Sequence, residues 1–154
     1  IKQLSSFLQV TKVRRYSKEQ IKISIYLMPA GSKLEKSYAK AEAQIKRILA
    51  EQEGDYFDYK LLGRIYMAQN DYVQARSAFD QGMPLTEDAS WLRYYRSRIL
   101  VAEGHYQKAE AEFDAAVAEG LPLSKLDRFI AYLVGQHQYL QAIKMRVRYK
   151  NAAD

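Results

Sequence analysis

Two pairs of residues in this chain have the types and spacing of reacting groups. Ser37 and Lys40 spell Ser-x-x-Lys, in which a lysine amine can take the proton of a serine nucleophile. His105 and His137 are the only imidazoles, able to move protons near neutral pH or to ligate a metal. Neither pair comes with what such chemistry further requires. Ser37 and Lys40 fall inside a segment with amphipathic helical periodicity, where chance readily supplies that spacing. The histidines lie in turns about one repeat of the chain apart and lack ligand partners. The chain also has no phosphate loop, no Gly-x-Ser-x-Gly elbow, no His-Glu-x-x-His and no cysteine. The sequence therefore reads as a non-enzyme, without catalytic, cofactor-binding or metal-binding residues.

Composition narrows the field further. With 154 residues, 48% hydrophobic and 27% charged, the chain can bury one domain's core. The absence of cysteine removes disulfides and thiolate metal sites and leaves the compartment open. The cytoplasm is favoured, the periplasm being compatible if a signal or anchor precedes residue 1. A net charge of +6 suits an acidic partner, yet its charges are too interspersed to make nucleic acid the first expectation. No apolar run reaches the ~20 residues of a membrane-spanning helix. Thirteen tyrosines against one tryptophan suit a helical stack, because a tyrosine ring packs while its hydroxyl reaches water or a carbonyl.

The elements that would position any site repeat along the chain. Gly63 and Ser97, Asn70 and Gly104, Tyr72 and Tyr106, Ala75 and Ala109, and Phe79 and Phe113 are each separated by 34 residues. A period of that length marks stacked helix pairs, since one pair cannot bury its apolar face alone. Three hairpins follow, at about 56–83, 90–119 and 124–150. In the first, Tyr59, Leu62, Gly63 and Tyr66 form one helical stripe, and Tyr72, Ala75, Phe79 and Gly82 form the next. Gly63 and Ala75 are small enough for the two helices to approach closely. Pro84 stops the second helix, while Gly104 and Gly120 stand where helices end. His105 and His137 are placed at the turn position that Asp71 holds in the first hairpin.

The third unit is degenerate: Gln138-Tyr139 comes one residue early and Arg146 replaces the phenylalanine. Its last helix carries Tyr139, Ala142, Ile143 and Val147 on one side and is basic elsewhere through Lys144, Arg146, Arg148 and Lys150. That pattern is expected of a terminal helix with a polar outer face. Upstream, Ser32-Lys33-Leu34-Glu35 is a capping box opening a helix to about Glu53, with Tyr38, Ala41, Ile45 and Ile48 facing inward. Residues 1–31 are expected to form an N-terminal helical segment continuing from an upstream region, with helices over 2–10 and 17–28. Ile21, Ile23, Ile25 and Leu27 alternate like a strand, but all-helical surroundings favour a helix.

At Leu62, Gly63 and Tyr66, and again at Gly104, Tyr106, Ala109 and Phe113, the chain resembles the tetratricopeptide repeat family. The resemblance implies an all-α fold, a right-handed α-solenoid of helix-turn-helix hairpins over 32–154. Three units are recognisable, with an irregular helical pair before them. It also implies a protein-protein interaction scaffold whose concave groove is lined by the first helix of each pair. Carried over position by position, the groove set is Phe57, Lys60, Arg64 and Met67, then Trp91, Tyr94, Arg98 and Val101, then Lys125, Arg128 and Tyr132. That set is aromatic and basic and suits an acidic peptide. Lys60 and Lys125 match two lysines of the family's carboxylate clamp, whereas Arg64, Tyr95 and Phe129 depart from it. The chain is also similar, more loosely, to repeat-built output arms of bacterial response regulators, which implies a role in signal transduction. A third reading makes it an adaptor to nucleic acid or anionic membrane through the basic last helix.

Overall fold

The computed structural model describes residues 34–150, and among these it contains seven α-helices and no strand. They are α1 (Leu34–Glu51), α2 (Tyr56–Ala68), α3 (Tyr72–Gly82), α4 (Ser90–Ala102), α5 (Tyr106–Ala118), α6 (Leu126–Gly135) and α7 (Tyr139–Lys150). Short 3-10 turns at Met83–Leu85 and Leu123–Lys125 lead out of α3 and into α6. The expectations for 1–31, including the choice between helix and strand over 21–27, and the Ser32 cap lie outside the described residues.

The 34-residue spacing recurs in the helix starts: Tyr56 and Ser90 open first helices, Tyr72 and Tyr106 open second ones. Each pair is joined by the same turn. Asn70 (φ 58°) and Gly104 (φ 82°) take the left-handed conformation that ends a helix in a Schellman motif. The amide of the following residue donates back to the last helical turn, Asp71 N to Tyr66 O at 2.9 Å and His105 N to Leu100 O at 2.8 Å. The third hairpin repeats this, but there His137 itself is left-handed (φ 59°) and Gln138 makes the closing bond to Leu133 O. His137 is thus the counterpart of Asn70 rather than of Asp71, because the turn arrives one residue early.

Close helix contact follows from small side chains. A Cβ at Gly63 would lie 2.3 Å from the Phe79 ring, so only glycine admits α3 at this distance. Ala75 and Ala109 are fully buried in the equivalent places on α3 and α5. The core repeats as well: Phe79 stacks on Tyr95 (5.5 Å between ring centroids), and 34 residues later Phe113 stacks on Phe129 (4.4 Å). Beyond the expected stripes, Leu61 and Ile65 are also buried, since α2 packs against α1 as well as α3. The first helices α2, α4 and α6 contact one another in turn, bringing their exposed sides onto one surface.

The last helix corrects an expectation. Ala142 and Met145 face inward, and Tyr149 reaches α5, where its hydroxyl donates to Asp114. That rotation leaves Tyr139, Leu140, Ile143 and Val147 exposed beside Lys144, Arg146, Arg148 and Lys150, so the outer surface of α7 is mixed rather than purely polar.

Candidate functional site

The surface formed by α2, α4 and α6 gathers cations over aromatic rings. At one end the ammonium groups of Lys60 and Lys125 each lie 5.2 Å from the centroid of the Trp91 ring. Lys60 also lies over Tyr56 and Phe57, at 5.6 and 5.9 Å. Burial pushes the Lys60 ammonium below the ordinary lysine range, the Arg64 charge adds to this, and Asp88 opposes it. At the other end the guanidiniums of Arg64 and Arg98 share the Tyr95 ring at 5.8 and 5.7 Å. Arg98 stacks closest on Tyr132, at 4.5 Å. These contacts join successive units, because residues 34 apart (Arg64, Arg98 and Tyr132, or Phe57, Trp91 and Lys125) fall in columns down the surface.

The charges are unusual in what they lack. Nine arginines are described, and six of them, Arg47, Arg76, Arg93, Arg96, Arg146 and Arg148, have a carboxylate within 4.0 Å. Arg64, Arg98 and Arg128 have none among the described residues, and all three belong to the groove set. Arg93, at a position where the repeat pattern expects an apolar residue, turns instead to Glu119 and Glu112 (2.6 and 3.4 Å). Arg96 likewise lies against the Met83 sulfur and near Asp80 and Glu112. Where α4 faces its own partner helix its arginines are paired, and where it faces the groove Arg98 is not.

Arg64 and Arg98 open onto a cavity of about 420 Å³ whose walls include Met67, Val101, Tyr95 and Tyr132. Tyr38 of α1 and Tyr72, Asn70 and Gln136 near the turns complete it. The Nε of Arg98 is shielded from water and has no hydrogen-bond acceptor among the described residues. Asn70 accepts from the Tyr72 hydroxyl through Oδ1 (3.2 Å), leaving its amide NH2 as a donor. A second, shallower depression on α3 is lined by Val73, Arg76, Ser77, Asp80 and Gln81, and its one arginine, Arg76, is paired with Glu103.

The expected groove residues therefore divide. Arg64, Met67, Arg98, Val101 and Tyr132 share the cavity, while Phe57, Lys60, Trp91 and Lys125 form the other cluster. Arg128 is exposed beside them. Tyr94 and Val101 are buried, and Tyr94 sits beneath the groove, its phenol pushed up to about 12 by burial. Sequence reasoning missed Tyr38, Tyr72 and Tyr95 as cavity walls. Tyr38 and Tyr72 had been counted for their inward stripes, and Tyr95 as a departure from the clamp. Among the described residues no three His, Asp or Glu side chains gather as metal ligands would, and no helix is long and apolar enough to cross a membrane. The two histidines are exposed, His137 Nδ1 lying 3.0 Å from the Tyr139 hydroxyl. A scan against protein-family models finds no match, and searches of the curated proteins and of the solved structures find none either.

Proposed function

We propose that the protein is a non-enzymatic scaffold of the tetratricopeptide repeat type, a right-handed α-solenoid that holds a peptide segment of another protein in its concave groove. The partner segment carries acidic groups. One observation supports this reading above the rest: the three described arginines without a carboxylate lie together on the α2-α4-α6 surface, and the six others are neutralised elsewhere. Arginines resting on aromatic rings offer forked donors and rigid apolar area together, the combination that dominates peptide interfaces. The basic last helix supports the adaptor reading less well, because Arg146 pairs with Asp127 at 2.7 Å and Arg148 with Asp114 and Glu110.

The test compares two variants of the protein. Replacing Lys60, Arg64 and Arg98 together by Ala should weaken binding of the native partner and leave helicity and melting nearly intact. Replacing Lys144, Arg146, Arg148 and Lys150 should leave binding in place. Binding that survives the groove variant, disappears in the α7 variant and falls steeply with salt would transfer the function to the last helix.

A further inference from the structure

The two ends of the groove are built differently, and the difference says what one end takes. The Lys60-Trp91-Lys125 end is an open platform, whereas the Arg64-Arg98 end is a walled cavity of about 420 Å³, within the size range of small-molecule sites. Resting on the scaffold reading, the geometry points to this cavity as a pocket for an aromatic phosphate ester, carried on the docked partner or arriving as a free aryl phosphate.

Three observations lead there. Charge comes first: Arg64 and Arg98 share one ring and have no described carboxylate within 4.0 Å. A carboxylate would neutralise only one of them. A phosphate monoester, with a charge of about −1.5 to −2 and three acceptor oxygens, balances both. Donors come next. Among the described residues Arg98 Nε has no acceptor, an N–H that turning the guanidinium fork onto an oxyanion would satisfy, and the Asn70 amide NH2 has none either and can donate at the rim. Finally, four tyrosines, Tyr38, Tyr72, Tyr95 and Tyr132, line the space, so the body bearing the anion meets aromatic side chains.

The sole tryptophan, Trp91, lies 6.4 Å from the Tyr95 ring and reports on the cavity by fluorescence. The intact protein is titrated with phenyl phosphate, benzoate and inorganic phosphate at constant ionic strength, with calorimetry as a second readout. Phenyl phosphate should saturate and bind more tightly than either of the others by roughly tenfold or more, as expected when both charge and ring are recognised. Arg98→Lys keeps the charge but loses the fork, and Arg64→Ala loses a charge. Each should weaken phenyl phosphate by about tenfold with unchanged circular dichroism, so that a misfolded variant does not pass for a binding defect. Lys144→Ala, exposed on α7 and outside the groove set, should change nothing. Phosphotyrosine in a peptide binding tighter than phenyl phosphate identifies a partner side chain as the occupant, and equal affinity identifies a free aryl phosphate. Benzoate or inorganic phosphate binding as well as phenyl phosphate, or no saturable binding, overturns the assignment. If phenyl phosphate fails while the Lys60/Arg64/Arg98 variant still loses its partner, only the pocket assignment fails. If phenyl phosphate binds but that variant keeps its partner, the groove reading fails and the pocket stands.

Discussion

Asp58 should destabilise the protein at neutral pH, and Asp58→Asn should relieve it. Asp58 is fully buried on α2, and 34 and 68 residues later the same position holds the buried Leu92 and Leu126. Its Oδ2 accepts from the Asp55 amide at 3.0 Å and the Asp55 carboxylate accepts from the Asp58 amide, a reciprocal capping box. Its other oxygen, Oδ1, is buried without a donor. Burial, together with the neighbouring Asp55 charge, pushes the Asp58 carboxyl up from 3.8 to about 6. The folded state therefore holds a proton on Asp58 more tightly than the unfolded chain does. Below about pH 4 both states are protonated and the group is neutral in its effect. Between about 4 and 6 stability falls as pH rises, and above 6 the loss is complete, on the order of 3 kcal/mol at 1.36 kcal/mol per pKa unit. Asparagine keeps an acceptor for the Asp55 amide and removes the buried charge, its NH2 replacing an Oδ1 that has no donor among the described residues. It gives up the attraction of a carboxylate to a helix N-terminus, about 0.3–1 kcal/mol. A net gain of about 2 kcal/mol at pH 7.5, shrinking to little or none at pH 4, is the expected outcome of urea melts at both pH values. A variant that is less stable at pH 7.5, or whose stability changes with pH as the parent's does, would refute the reasoning.

Replacing Ala109 by Leu forces a larger side chain into a fully buried contact between α4 and α5 and should cost about 1–3 kcal/mol, read as a lowered melting temperature. Gly63→Ala places a Cβ 2.3 Å from the Phe79 ring, so α2 and α3 must part and the loss should be at least as large. Ile143→Ser and Val147→Ser, on the exposed stripe of α7, should leave melting within about 0.5 kcal/mol of the parent, and a larger loss would mean that this stripe is covered. Far-UV circular dichroism should be dominated by helix, and a substantial sheet signal would contradict the expectation for 21–27.

The repeat made most of the described fold legible in the sequence. Residues that meet their counterparts at a fixed period, such as Phe79 and Phe113 or Ala75 and Ala109, are each held by a local contact that the next unit makes again. The same period sets Arg64, Arg98 and Tyr132, and Phe57, Trp91 and Lys125, in columns across successive units. The repeat was blind where the chain leaves its period. The early third turn moved His137 into the left-handed position, and α7 turned Ala142 and Met145 inward, exposing residues that the stripe had seemed to bury. Nor does a period reveal pairing. Only the three-dimensional neighbours show that Arg93 and Arg96 are neutralised while Arg98, on the same helix, is not.

Tyr95 explains how unpaired cations can be held without weakening the core beneath them. Its ring stacks on Phe79 at an interplanar angle of 11°, inside the repeat's packing, and it also carries Arg64 and Arg98 within 5.8 Å. An aromatic face attracts a cation through its quadrupole without accepting its hydrogen bonds, so the guanidinium donors stay available. A carboxylate in the same place would hold the arginines more firmly and consume those donors. Tyr132 repeats the arrangement on α6, and Trp91 does so for the two lysines. The groove is thus organised by rings that belong to the fold on one side and to the site on the other. Its cations are positioned in advance and have no carboxylate within 4.0 Å among the described residues, the condition under which the proposed groove would capture an acidic group.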